Sequence, residues 1–92
     1  MVSDDTTIAR RETALSNKIE DRVLMMDIDS GAYYELDGTA ARIWELTEEP
    51  RSFADLCKEL SKEYDVDAEE CRVDTSAFVE DLEQKGLVSI SR

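Results

Sequence analysis

Histidine is missing from this chain altogether. The side chain used most often as a general base near neutral pH, and as a zinc ligand, is therefore not available. Glycine is scarce, at 3 residues, and nothing resembles the glycine loop that cradles phosphate. Positive charge is short as well: 11 bases stand against 23 acids, for a net charge of −12. Such a surface repels phosphate backbones and anionic lipid and favours neutral or basic partners. No apolar run approaches the roughly 18 residues of a membrane span, and the N-terminus lacks a secretory pattern. Cysteine is limited to Cys57 and Cys71, both on apolar helix faces, which reads as two reduced core thiols. These absences point to a cytoplasmic chain with no cofactor, metal, membrane or nucleic-acid partner.

What is present suits one domain over residues 1–92, with an ordinary apolar fraction of 41%. Residues 1–6 are polar and expected to be frayed. Thr7 to Leu15 permits a strand, and the mixed charges of Arg10, Arg11 and Glu12 suggest a sheet edge. Ser16 to Asp21 reads as a polar connection. Arg22 to Ile28 is apolar on both faces and too short for a helix, so strand is the better reading. Asp29-Ser30-Gly31 suits a three-residue hairpin loop with Gly31 left-handed. Ala32 to Leu36 returns as a strand, Tyr34 and Leu36 on one face, Tyr33 and Glu35 on the other.

Three helices follow. Asp37 is placed to cap the first, which carries Ala40, Ile43, Trp44 and Thr47 on one face. Pro50 stops it, because the residue before proline avoids helical geometry. Ser52 caps the second, where Phe53, Leu56, Cys57, Leu60 and Tyr64 form an amphipathic stripe. Asp67 with Glu70 caps the third, with Val66 against Cys71 at staple spacing. That helix carries Cys71, Thr75, Phe78, Val79 and Leu82, and ends at Gly86. Leu87 to Ile90 adds a short strand or packs down. The expected class is α+β, winged-helix-like, with a three-stranded antiparallel N-terminal sheet followed by three helices.

Nothing here reads as a catalytic constellation. The carboxylates are scattered as on a solvated acidic surface, and Ser30, Ser52 and Ser76 lack a partner base. Asp27-x-Asp29-x-Gly31 starts like a calcium loop, but Ala32 and Gly38 stand where the loop needs glycine and glutamate. A winged helix also raises DNA binding. From Asp67 to Lys85 the would-be recognition helix holds seven acids against two bases, the wrong sign for phosphate. Trp44 reads as core. Tyr33 and Tyr34, on opposite strand faces, leave one tyrosine accessible. An exposed strand beside it can take up a peptide as a further strand.

Three stretches together resemble the PqqD family: G-A-Y-Y-E-L-D-G-T-A-A-R-I-W-E-L, S-F-A-D-L-C-K-E-L-S-K-E-Y-D-V-D and D-T-S-A-F-V-E-D-L-E-Q-K-G-L-V. The resemblance spans roughly residues 20–90. It implies a small non-enzymatic domain that holds the leader segment of a ribosomally made precursor peptide. Such families include the peptide chaperone of pyrroloquinoline quinone biosynthesis and leader-binding elements of lasso and other modified peptides. The leader is held as an added strand beside the third strand, in a groove closed by the third helix. The remainder is presented to a separate maturation enzyme, a radical SAM enzyme or a leader peptidase.

Carried onto this chain, the strand is Ala32, Tyr33, Tyr34, Glu35 and Leu36. The facing helix offers Arg72, Thr75, Ser76, Val79 and Glu83. Asp74 and Asp81 are candidates for pairing with a basic leader residue. Asp37 stands where relatives have asparagine, and both residues cap helices. A proline at Tyr34 is the expected way to block the strand. The alternative is a winged-helix interaction or regulatory module with no peptide groove. An open strand edge also leaves room for a monomer or for a dimer formed by strand exchange.

Overall fold

The computed structural model describes residues 2–91. The chain folds as two small antiparallel sheets and three helices. The first sheet is built on the central hairpin. Strand β3 (Arg22–Asp27) pairs with β2 (Ala14–Ile19) on one side and β4 (Tyr33–Asp37) on the other. Along β3 burial alternates, with Val23, Met25 and Asp27 inward and Leu24 exposed. The expected connection over Ser16–Asp21 is therefore mostly strand. Its side chains lie almost all in solvent, so no hydrophobic alternation marks it, and main-chain pairing to β3 defines it. Glu20, at φ 58°, turns the chain between Ile19 and Arg22.

The expected three-residue loop is a four-residue one, closed by Asp27 and Ala32. The Asp27 N–H donates to the Ala32 carbonyl at 3.0 Å, and Gly31, at φ 74°, donates to the Asp27 carbonyl at 2.7 Å. The cause is Asp27 itself. Its buried carboxylate accepts from the Ser30 hydroxyl at 3.0 Å and the Asp29 N–H at 3.3 Å, which draws Ile28 into the turn.

The N-terminal strand does not join that sheet. β1 (Thr7–Arg10) is the middle strand of a second sheet, between β5 (Arg51–Ser52) and β6 (Val88–Ser91). Ile8 pairs with Ile90 on one side and Arg51 on the other, and is fully buried. Arg10 is accordingly no edge charge. Its guanidinium lies 4.3 Å over the Trp44 ring and donates to the Trp44 carbonyl at 2.6 Å, and burial lowers its pKa.

Residues 2–6 were expected to be frayed; Met1 lies outside the described residues. Val2 and Thr6 are instead buried. The reason is the start of α2 (Phe53–Glu63), whose first N–H groups have no partner within the helix. Phe53 donates to the Thr6 carbonyl at 2.8 Å and Ala54 to that of Asp4 at 3.1 Å. The Val2 N–H reaches Ser76 Oγ at 2.9 Å.

Helix α1 (Gly38–Leu46) buries Ala41, Ile43, Trp44 and Leu46. Asp37 occupies its N-cap, but its side chain makes no cap hydrogen bond, contrary to expectation. The chain leaves β4 extended and turns on Gly38, at φ 55°, so the carboxylate is not brought onto the first helical N–H groups. The other caps form. Ser52 accepts from the Asp55 N–H, and Asp67 from the Glu70 N–H at the start of α3 (Ala68–Gln84), both at 3.1 Å. Gly86, at φ 79°, closes α3. The Leu87 N–H reaches the Leu82 carbonyl and the Gly86 N–H that of Glu83, each at 3.0 Å, which is a Schellman end. Trp44, Phe53, Ile8, Met25, Leu56 and Leu82 fill the core between sheets and helices. No helix of the described residues is long and apolar enough to cross a membrane.

Candidate functional site

β4 has β3 on one side and, among the described residues, no strand on the other. The direction of its main-chain groups follows from the register. Asp27 and Ala32 are a hydrogen-bonded pair, and such pairs alternate along an antiparallel ladder. Tyr34 opposite Met25, and Leu36 opposite Val23, are thus bonded to β3. The N–H and C=O groups of Tyr33 and Glu35 point to the open edge. A proline at Tyr34 would therefore break the ladder to β3 rather than block the edge. Glu35 is the position that tests the edge alone.

The side chains alternate as expected. Tyr34 and Leu36 pack partly buried on the core, while Tyr33 is 79% exposed and Glu35 lies in solvent. Beyond the edge runs α3. Phe78, Asp81, Leu82 and Lys85, with Leu87 after the helix, face Tyr33 to Leu36 across a groove of about 330 Å³. Lys85 forms an ion pair with Asp81 and stands 5.6 Å from the centre of the Tyr34 ring. The groove thus has apolar walls, a free main-chain row along one side and one ion pair at its far end. Asp27 buttresses that end, its Oδ2 lying 3.4 Å from the place a Cβ on Gly86 would occupy.

The structure brings Tyr33, Tyr34, Glu35, Leu36 and Asp81 together in this groove. Ala32 precedes it, its carbonyl taken by Asp27. Asp74 and Thr75 line a neighbouring cavity on the other side of Phe78. The remaining helix residues lie elsewhere. Arg72 is ion-paired with Asp4 at 2.5 Å and 5.6 Å from the centre of the Phe53 ring, and the hydrogen bond to Asp4 raises its pKa. Ser76 is buried, accepting from Val2 and donating to Glu80 at 3.1 Å. Val79 is fully buried in the core, and Glu83 is exposed outside the groove.

Arg72, Ser76 and Val79 thus lie on a face of α3 rotated from the groove. Apolar spacing finds the stripe that meets the core, whereas a groove wall lies along the border of that stripe. Phe78 and Leu82, both on that stripe, line the groove at its border, with Lys85 and Leu87 beyond them. The available signal was Phe78 and Leu82, apolar and four apart, with Lys85 one further turn along.

Other ionisable clusters serve packing. Arg42 bridges Glu63 at 2.7 Å and Glu45 at 3.2 Å, and the hydrogen bond from Arg42 holds the Glu63 pKa down. Burial, with Cys71 beside it, pushes the Cys57 thiol up to about 11. No group of three or more metal-ligating side chains occurs among the described residues.

A strand with a free edge, set beside a helix on a small α+β scaffold, is the class of site this fold defines. The chain belongs to the PqqD family: the model for coenzyme PQQ synthesis protein D matches residues 22–88. Two solved structures share the fold. TbiB1 in complex with the TbiA(beta) leader peptide superposes with a TM-score of 0.84 at 28% identity, covering 88% of this chain and 94% of that one. Lasso peptide synthetase B1, complexed with its leader peptide, gives 0.78 at 27% identity, over 89% and 96%. Among curated proteins no sequence matches.

Proposed function

We propose that this chain is a non-catalytic adaptor that captures the leader segment of a ribosomal precursor peptide. The leader adds as a strand to β4, within the groove under α3. The observation that carries this is the free N–H and C=O row of Tyr33 and Glu35, beside a groove whose other wall is α3. The family and the two leader-bound relatives support the same reading. Main-chain pairing supplies affinity with little sequence demand, and side chains facing α3 supply selectivity. The leader loses conformational entropy on docking, and a groove already formed limits the loss to one partner.

In this reading Tyr33 to Leu36 pair with and flank the leader, and Asp81 draws a basic leader residue in competition with Lys85. The remainder of the precursor passes to a separate maturation enzyme in the cytoplasm, a radical SAM enzyme or a leader peptidase. The adaptor acts as a monomer, with dimerisation by strand exchange competing for the same edge. The test is a titration with the leader half of a candidate precursor peptide, sought in the genes beside this one, using native protein and Glu35→Pro. Saturable binding that Glu35→Pro weakens, with unchanged circular dichroism, supports strand addition. Equal binding by both proteins would place the peptide elsewhere.

A further inference from the structure

The groove does not stop where β4 does. Phe78 lines it on one side, and on the other it lines a second cavity of about 350 Å³. That is within the range of roughly 300–1,000 Å³ typical of small-ligand pockets. The inner wall is apolar: Ile43 from α1, Leu60 and Tyr64 from the end of α2, and Phe78. Thr75 sits there 4% exposed, its hydroxyl meeting only Cys71 Sγ at 3.9 Å. At the mouth stand Glu70 and Asp74, four residues apart on one face of α3, both exposed. No base lines the cavity.

We propose that this cavity is a second anchoring site for the captured peptide, taking a large apolar side chain that carries a positive charge beside it. The inference rests on strand addition at β4 and names what that peptide must present. Continuity through Phe78 makes the occupant the same peptide. Charge makes its flank basic, since two carboxylates and no cation rim the mouth. The same charge disfavours a second copy of this chain, whose net charge is −12. Spacing follows from α3 as a ruler. Leu82 in the groove and Asp74 at the cavity are eight helical residues apart, about 12 Å. An extended chain covers that in about four residues at ~3.3 Å each. The leader therefore carries an apolar anchor, with lysine or arginine adjacent, about four residues from its strand-paired centre.

The cavity can be read without any peptide. The probes are 2-phenylethylammonium and 3-phenylpropionate, similar skeletons of opposite charge, followed by amide chemical-shift mapping. The expected result is shifts at Ala40, Ile43, Tyr64, Asp74 and Phe78, with the cation binding about threefold or more tightly than the anion. Asp74→Asn with Glu70→Gln should abolish that preference, and Ala40→Phe should abolish binding by filling the mouth. Glu35→Pro should leave probe binding unchanged, because neither probe has main chain to pair. Absence of shifts at these residues, or equal binding of cation and anion, overturns the proposal. Loss of leader binding in Glu35→Pro reports on strand addition alone, so the two readings fail separately.

Discussion

The sheet β2–β3–β4 has two outer strands, and they are not equivalent. Just before β2, Thr13 accepts from the Ile28 N–H at 2.9 Å, so by alternation Ser16 and Lys18 of β2 direct their main-chain groups outward. Lys18 lies opposite buried Val23, on the inner face, and reaches Glu45 of α1 at 3.1 Å. A lysine on the core side of an edge strand penalises any strand that would extend the sheet there. On β4 the inner face holds Tyr34 and Leu36 instead, and α3 stands beyond as a second wall. The main-chain chemistry of the two edges is the same. The side chains at the two edges differ: Lys18 on the inner face of one, Tyr34 and Leu36 on that of the other.

The strongest break of this asymmetry is a proline on each edge. Glu35→Pro removes the central outward donor of β4 and should weaken leader binding by about tenfold or more, equivalent to ~1.4 kcal/mol. Ser16→Pro removes an outward donor of β2 and should leave leader affinity unchanged by calorimetry. Equal losses in both would refute the distinction between the edges. Next comes Gly86→Ala, which forces a Cβ onto a backbone at φ 79° and towards Asp27. It should cost about 1 kcal/mol, lowering Tm by roughly 4–8 °C. Hydrogen exchange should rise at the α3 end of the groove and stay unchanged along β2.

Lys18→Val should open the second edge. Light scattering is expected to show more self-association in the variant than in the native protein at equal concentration; an unchanged monomer fraction would mean the lysine guards nothing. The smallest effect is acid. The hydrogen bond from Lys18, helped by Arg42, holds the Glu45 carboxyl below its ordinary pKa. A depressed carboxylate stabilises the fold above its unfolded pKa of about 4.3, and the contribution is lost as pH falls through the lower folded value. Below about pH 4 the β2 guard should loosen, giving a slight rise in amide exchange on β2. Glu45→Gln should remove that pH dependence.

Much of the fold was legible because it is local. The stripe of α2, the caps by Ser52 and Asp67, the end at Gly86 and the two faces of Tyr33 and Tyr34 follow from spacing and turn chemistry. β2 was illegible because its side chains are solvated, so no alternation marked it. The second sheet was illegible because Thr7–Arg10 pairs with Val88–Ser91 from the opposite end of the chain, and no local pattern encodes a partner that distant. The groove was half legible. β4 follows from the hairpin signal, whereas Arg72, Ser76 and Val79 lie away from the groove beside β4, since periodicity reports the core stripe and not its border.

The order of residues by itself determined where helices begin and stop, which faces are apolar and that the surface is strongly acidic, because short-range sterics and composition govern those. Tertiary structure alone decided that β4 has a free edge beside α3, that Lys18 meets Glu45 at the opposite edge and that Phe78 lines both the groove and the neighbouring cavity. Each of those depends on which distant segments meet, and that is settled by burial of the whole chain at once.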